Sequence, residues 1–213
     1  MAGYCDPRGC DRMFDERFAA RRAARYRKQG LDATARRMVE LLAERGVQGA
    51  SVLEIGGGVG EIQIELLRRG AASATNLELS PGYEAEAAQL LDEAGLTGRV
   101  DRRLGDIAGD PSVAEPADIV VLHRVVCCYP DHPRLLAAAA DHARGRLVFS
   151  FPPRNPVSRT VIAVQNQLLS WGNRQFRAFA HSPASMLAVL AEHGLTAASA
   201  PAGRLWQVAH ATR

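Results

Sequence analysis

The stretch that decides the fold is residues 50–64, ASVLEIGGGVGEIQI. A short apolar run ends at Ile55, glycines follow, and apolar residues at helical spacing begin at Ile62. This order predicts a β-strand, a tight turn and an α-helix, the first βα unit of a nucleotide-type fold. Glycine at positions 56, 58 and 60 permits a sharp turn and the close approach of a ligand, and the helix offers unpaired N–H groups to that ligand.

The spacing of the glycines distinguishes between two kinds of ligand. A dinucleotide site requires G-x-G-x-x-G, but counting from Gly56 places Glu61 where the third glycine belongs, and counting from the next glycine places Val59 at the second. The residues fit E-x-G-x-G-x-G instead, from Glu54 to Gly60. A glycine-rich turn without a ligand is the plain alternative.

The pattern E-x-G-x-G-x-G resembles motif I of the class I methyltransferases that use S-adenosylmethionine (SAM), and the resemblance covers about residues 50–212. It implies an α/β fold with a seven-stranded Rossmann-like sheet, mostly parallel and closed by an antiparallel C-terminal hairpin. It also implies SAM as the cofactor and S-adenosylhomocysteine (SAH) as its product. The turn residues that would bind the cofactor are Glu54, Gly56, Gly58 and Gly60.

Two further positions complete the expected cofactor site. Residues 71–79 are predicted as strand two, which ends at Glu78 and Leu79, and an acid at this place can accept hydrogen bonds from a ribose diol. Residues 99–104 are predicted as strand three, followed by Asp106 and Ile107. In the methyltransferase family the acid of this Gly-Asp pair lies near the adenine amino group; a plain turn acid is the alternative.

Strand four, predicted at residues 117–122, leads into the segment expected to face the methyl group. It continues as HRVVCCYPD, residues 123–131, which resembles motif IV and its loop in the small-molecule enzymes, with cysteines where paired histidines often lie. Because parallel strands point their carboxyl ends at the ligand crevice, we expect His123, Arg124 and Tyr129 to be catalytic. His123 is the candidate general base and also a cofactor contact, with a structural hydrogen bond as the alternative.

The four cysteines form two clustered pairs rather than a spread disulfide framework. If an N-terminal lid closes over the loop after strand four, Cys5, Cys10, Cys127 and Cys128 would form a thiolate cluster for zinc or a soft substrate such as arsenite. The C-x4-C and C-C spacings match structural zinc sites poorly. Small buried thiols are therefore the alternative, and we assign no metal site.

Residues 1–46 are predicted as a helical extension and residues 47–213 as the SAM-binding domain. A basic, weakly amphipathic helix from Arg8 to Lys28 precedes a second helix that Asp32 caps and that ends at Arg45. The first helix is either a solvated surface helix or a lid over the active site. A nucleic-acid arm fits less well, because no aromatic-rich groove accompanies it.

The rest of the chain continues the alternation of strands and helices. Helices are predicted at 61–69, 83–94 and 132–143, strand five at 145–151, and a closing hairpin at 195–200 and 205–212. An insert before the hairpin carries helices at 157–171 and 183–193 around a segment rich in arginine and aromatic residues. That segment lines a pocket or forms a surface loop. Within it, residues 177–181, RAFAH, are similar to magnesium-protoporphyrin O-methyltransferases.

Composition sets the remaining expectations. The 213 residues are 47% hydrophobic and 23% charged, as in ordinary globular domains, and the net charge of +3 is too small to argue for nucleic acid. With no apolar run of about 18 residues and no apolar leader, we expect no membrane span and a cytoplasmic location. A homodimer is left open.

The expected activity is SAM-dependent methyl transfer to a small molecule by in-line displacement, in which the enzyme chiefly aligns donor and acceptor in a dry cleft. Replacing His123 by Ala should then lower turnover about a hundredfold or more with SAM affinity kept. One alternative is an RNA or protein methyltransferase, suggested by the basic first helix. The other is a SAM-binding or NAD-binding protein without methyl transfer.

Overall fold

The computed structural model of the chain describes residues 9–171, 176–203 and 205–213. The strands in these ranges are β1 Ser51–Ile55, β2 Ser73–Glu78, β3 Val100–Leu104, β4 Ala117–Leu122, β5 Ala143–Phe151, β6 Thr196–Pro201 and β7 Gln207–Thr212. The α-helices are α1 Cys10–Met13, α2 Glu16–Gln29, α3 Ala33–Ala43, α4 Glu61–Arg68, α5 Glu84–Glu93, α6 His132–Asp141, α7 Pro156–Trp171 and α8 Pro183–Glu192. Short 3₁₀ turns occur at Pro81–Tyr83, Thr97–Arg99, Pro111–Val113 and Val126–Cys128.

The strands form one seven-stranded sheet in the order β3-β2-β1-β4-β5-β7-β6. Strands β1 to β5 pair in parallel, whereas β7 runs antiparallel to both β5 and β6. Leu53 of β1 lies between Thr75 of β2 and Val120 of β4. The strand order reverses between β1 and β4, where open parallel sheets bind ligands beyond their carboxyl ends. The predicted sheet, with its antiparallel C-terminal hairpin, is confirmed.

The central strands bury both of their faces. On β1, Val52 belongs to the apolar cluster under α2, α3 and α4, while Leu53 belongs to the cluster under α6 and α8. On β4, Ile119 and Val120 divide between the two clusters in the same way. Successive side chains of a strand point to opposite faces, so a continuous apolar run is what a sheet covered on both sides requires.

The N-terminal segment differs from the single helix predicted between residues 8 and 28. The helix is interrupted after α1, and Asp15 is the N-cap of α2, with its side chain accepting a 2.8 Å hydrogen bond from the Phe18 N–H. Asp32 caps α3 as predicted. Ala19 of α2 and Met38 of α3 lie in the same apolar cluster as β1, so this segment packs directly on the sheet domain.

Three parts of the predicted scheme lie outside the described residues. They are residues 1–8, which include Cys5; the first part of the segment rich in arginine and aromatic residues, 172–175; and Arg204. Within the ranges that are described, no helix combines the length and the apolar character needed to cross a bilayer.

Candidate functional site

The glycine turn leads from the carboxyl end of β1 into α4. Gly56, Gly58 and Gly60 have φ angles of +65°, +56° and +83°, a left-handed region that side chains disfavour. A Cβ on Gly56 would collide with Val125, and one on Gly58 would press on the ring of Tyr83. The glycines therefore serve the backbone conformation and the close packing of the turn on its neighbours, in addition to any ligand.

Glu78 ends β2 and faces the glycine turn. One of its oxygens accepts hydrogen bonds from the N–H groups of Leu79 and Ser80 at 2.7 and 3.1 Å, and the other accepts from the Gly58 N–H at 2.8 Å. Burial raises the pKa of the Glu78 carboxyl, and the three N–H donors oppose that shift. The carboxylate is thus held rigidly between two strand ends.

A second buried carboxyl lies beneath the turn. Glu54 is almost fully buried, and its Oε2 accepts a 3.1 Å hydrogen bond from the Gln63 N–H. Burial, followed by the charge of Glu61, raises the pKa of Glu54 to about 8. The Gln63 side chain in turn accepts a 3.1 Å hydrogen bond from Asn76 of β2. This layer of buried polar groups supports the turn from below.

The loop after β3 brings two predicted residues into contact. Asp106 accepts a 3.1 Å hydrogen bond from the Ala108 N–H and a 2.8 Å hydrogen bond from the Tyr129 hydroxyl. Ile107 is buried beside them. Asp106 was predicted for the cofactor and Tyr129 for catalysis, but the structure joins them in one pair. The loops after β3 and β4 are therefore connected across the carboxyl edge of the sheet.

The end of β4 holds a connected polar cluster around His123. Ser150 of β5 accepts a 2.9 Å hydrogen bond from the Arg124 N–H, and its Oγ lies 3.0 Å from Nδ1 of His123. The Asp32 carboxylate lies 3.6 Å from Nε2 of His123 and 2.9 Å from the Arg124 guanidinium. Arg124 also stacks on Trp206 at 4.8 Å and has a φ of +61°. Both nitrogens of His123 thus face protein groups.

The charges in this cluster follow from burial and contact. Burial lowers the pKa of His123, although Asp32 opposes the shift. Burial alone would raise the pKa of Asp32, but His123, the Ala35 N–H and Arg124 together hold it well below its ordinary value. Near neutral pH the imidazole is therefore neutral and the carboxylate is ionised. The Ser150 Oγ and the Asp32 carboxylate thus lie at the two nitrogens of a neutral imidazole.

These loops surround a cavity of about 1110 Å³ including its mouth. Nearly all predicted site residues line this cavity: Glu54, Gly56, Gly58, Glu78, Leu79, Asp106, Ile107, His123, Arg124 and Tyr129. Gly60, the N-cap of α4, does not line it. The predicted cofactor-binding residues and the candidate catalytic residues therefore share one space.

The N-terminal segment, predicted as either a surface helix or a lid, supplies residues that roof the cavity, although none of them was among the predicted site residues. Phe14 and Phe18 lie edge to face at 5.4 Å, and Phe14 also contacts the rings of Tyr83 and Phe176. Arg22 of α2 forms an ion pair with Glu61 in the first turn of α4, and both residues line the cavity. The aromatic spacing in the N-terminal segment was the available signal for this roof.

Three of the four cysteines lie at or beside the cavity. Cys10 and Cys128 line it, and the Sγ atoms of Cys127 and Cys128 are 3.7 Å apart. Cys5 is outside the described residues. In the described part of the chain, no group of three or more His, Cys, Asp or Glu residues is arranged to hold a metal ion.

The described part of the insert braces the loop after β4 and does not line the cavity. The Phe179 N–H donates to the carbonyl of Cys127 at 2.7 Å, and Nε2 of His181 lies 2.9 Å from the Tyr129 carbonyl. Between the two earlier interpretations of this segment, the structure therefore does not support a pocket lining by its described residues.

Comparison with known proteins agrees with this architecture. Residues 23–199 match the family model described as a methyltransferase domain. No curated protein matches the chain. Magnesium protoporphyrin IX methyltransferase from Synechocystis PCC 6803, solved with bound SAH, is 21% identical with a TM-score of 0.71, and the match covers 95% of this chain and 99% of that one.

Two further solved structures share the fold. An O-methyltransferase family protein from Burkholderia thailandensis is 19% identical with a TM-score of 0.74, over 96% of this chain and 62% of that one. Human N-acetylserotonin methyltransferase, solved with SAM, is 17% identical with a TM-score of 0.68, over 98% of this chain and 59% of that one. At these identities the likeness establishes the fold.

Proposed function

The chain belongs to the methyltransferase-domain family, and we propose that it transfers the methyl group of SAM to a small-molecule acceptor. The observation that carries the proposal is the rigid Glu78 carboxylate facing the glycine turn inside one cavity at the sheet's switch point. When bound, SAM supplies a methyl group on a positively charged sulfur.

The charges lining the cavity suit SAM better than a dinucleotide. Glu61 and Glu78 line it, and Glu61 occupies the first turn of α4, where a pyrophosphate would otherwise bind. Carboxyl groups repel phosphates and favour a ligand with cationic centres. Glu78 would accept the ribose hydroxyls, and Asp106 with Ile107 would hold the adenine end.

The roof of the cavity supplies a dry, confined space. Phe14, Phe18 and Tyr83 close it on one side, and these rings exclude water from the place where donor and acceptor meet. A displacement at carbon depends mainly on alignment of the two reactants, so a shaped apolar enclosure is the principal contribution the protein makes. In this proposal residues 1–46 act as the lid.

His123, in this proposal, positions neighbouring groups. A general base needs an unoccupied lone pair within reach of the acceptor, but Nδ1 of His123 faces Ser150 and Nε2 faces Asp32. The imidazole instead holds the Asp32 carboxylate in place, and this carboxylate pairs with Arg124 just after the carboxyl end of β4. The role of general base predicted for His123 requires the contact with Ser150 to open.

A small acceptor is favoured over RNA because arginines of the basic helix α2 already pair with carboxylates of the protein itself. Arg22 pairs with Glu61, and Arg27 makes hydrogen bonds to Glu86 and Glu93 on α5. Arginines held by carboxylates attract phosphate less strongly than unpaired ones. An RNA or protein acceptor remains the second candidate because α2 carries further arginines.

A cytoplasmic location is also part of the proposal. Cys127 and Cys128 are free thiols, as expected of a reducing compartment. Cys127 and Cys128 are adjacent and remain unpaired at 3.7 Å.

The test follows the label from SAM that carries a radioactive methyl group. The protein is incubated with a cell extract divided by size into small molecules, RNA and protein. Label in the small-molecule fraction that is absent with Glu78→Ala and present with the surface control Glu115→Ala supports the proposal. Label that is sensitive to ribonuclease or protease assigns the alternative acceptor, and no labelled fraction argues for a binding protein without methyl transfer.

A further inference from the structure

Helix α7 has an apolar face that the rest of the described chain does not cover. Five of its large apolar residues are between 54% and 75% exposed: Val157, Val161, Val164, Leu168 and Trp171. The other face of α7 contacts the protein through Ser158, Ile162, Asn166 and Leu169, which are buried or partly buried. The exposed residues are therefore a second stripe, separate from the one that attaches the helix.

The spacing of this stripe is that of a helix that pairs with another helix. The five positions alternate by four and three residues, the a and d pattern of a coiled-coil seam. The stripe extends for about 21 Å along the helix at the usual rise per residue. Pattern and length together favour an α-helical partner.

We propose that the stripe on α7 pairs with the same stripe of a second copy, with the two helices antiparallel. An antiparallel pair centred on Val164 places Trp171 opposite Val157 and Leu168 within one residue of the position opposite Val161, so large side chains meet small ones. A parallel pair would instead place tryptophan against tryptophan. A contact of this kind uses the same patch on both subunits, as a two-fold dimer requires.

Charge and area agree with a second copy as the occupant. Arg159 is the only charged residue in α7 and lies away from the stripe, so no like charges oppose self-pairing. The same lack of cations disfavours an anionic membrane surface, which attracts helices with basic polar faces. Residues 1–8, MAGYCDPR, carry too few apolar side chains to cover the stripe. The exposed fractions correspond to roughly 600 Å² per copy, so pairing would bury about 1,200 Å², the lower end for a stable interface.

The pairing is tested by sedimentation velocity on the full chain over a wide range of concentration. The wild type should reach twice the chain mass, Val164→Glu should stay at the single mass, and the matched control Ala163→Glu on the same helix should still double. A wild type that stays single at all concentrations, or a Val164→Glu variant that still doubles, overturns the proposal. Flotation of a monomeric wild type with phosphatidylserine vesicles would overturn it in favour of a lipid surface.

Single cysteine substitutions test the direction of pairing. In an antiparallel pair Val164→Cys meets its own copy and forms an intermolecular disulfide under mild oxidation, whereas Val157→Cys faces Trp171 and does not. Cross-linking of both variants indicates parallel helices and overturns the antiparallel arrangement. Because both positions are exposed, circular dichroism should show the fold of each variant unchanged.

Discussion

Replacing Glu54 by Gln tests the buried carboxyl beneath the glycine turn. Its pKa is about 8 in the folded chain against an ordinary value of 4.5, so between these values the folded chain holds a proton that the unfolded chain releases. The free energy of unfolding of the wild type therefore falls as the pH rises through this window. At 1.36 kcal/mol per pKa unit, the fall is about 5 kcal/mol in total and about 3 kcal/mol between pH 5.5 and pH 8.

The Glu54→Gln variant stays neutral at every pH, and its amide oxygen can still accept the Gln63 N–H. Urea unfolding is followed by circular dichroism at about pH 5.5 and pH 8. The free energy of unfolding of the variant, relative to that of the wild type, should rise by about 3 kcal/mol from the lower to the higher pH. Glu115→Gln, at an exposed position, should show no such gain. If wild type and Glu54→Gln lose stability in parallel over this range, the carboxyl is not held protonated and the reasoning fails.

Substitutions at three positions address the site. His123→Ala should lower turnover about a hundredfold because the groups it positions are displaced, with SAH affinity kept, and His123→Asn should restore most of the turnover; equal loss in both variants would indicate a general base. Gly56→Ala should cost at least about 2 kcal/mol in unfolding free energy, more than Gly46→Ala, which shares a positive φ without a steric neighbour; equal costs would exclude the collision with the loop after β4. Tyr129→Phe removes the hydrogen bond to Asp106 and should cost about 1–2 kcal/mol in thermal unfolding, and an unchanged melting temperature would contradict that contact.

Short-range patterns were sufficient to predict the sheet and the strand-end residues. The apolar run of β4 and the glycine turn after β1 depend on neighbours in the chain, and parallel connectivity then brings the strand ends together. Glu78 could be placed at the cavity for this reason, since its position follows from the end of β2 alone. The cap at Asp32 is equally local.

The second role of Asp32 could not be predicted in this way. Its contacts with His123 and Arg124 join residues about ninety positions apart, and they depend on how α3 packs beside the end of β4. The roof is a similar case, because Phe14 meets Phe176 only after the insert has folded back. A histidine at a strand end was recognisable from sequence, but the groups facing its two nitrogens were not.

Titration calorimetry with SAH measures whether this cavity binds the product of the methyl donor. We predict one saturable site in the wild type, loss of that binding in Glu78→Ala, retention in Glu115→Ala, and no binding of NADH to any of the three. Thermal unfolding of each variant controls for loss of fold. Binding of NADH in place of SAH, or full SAH binding by a folded Glu78→Ala variant, would contradict the assignment of this cavity to the methyl donor.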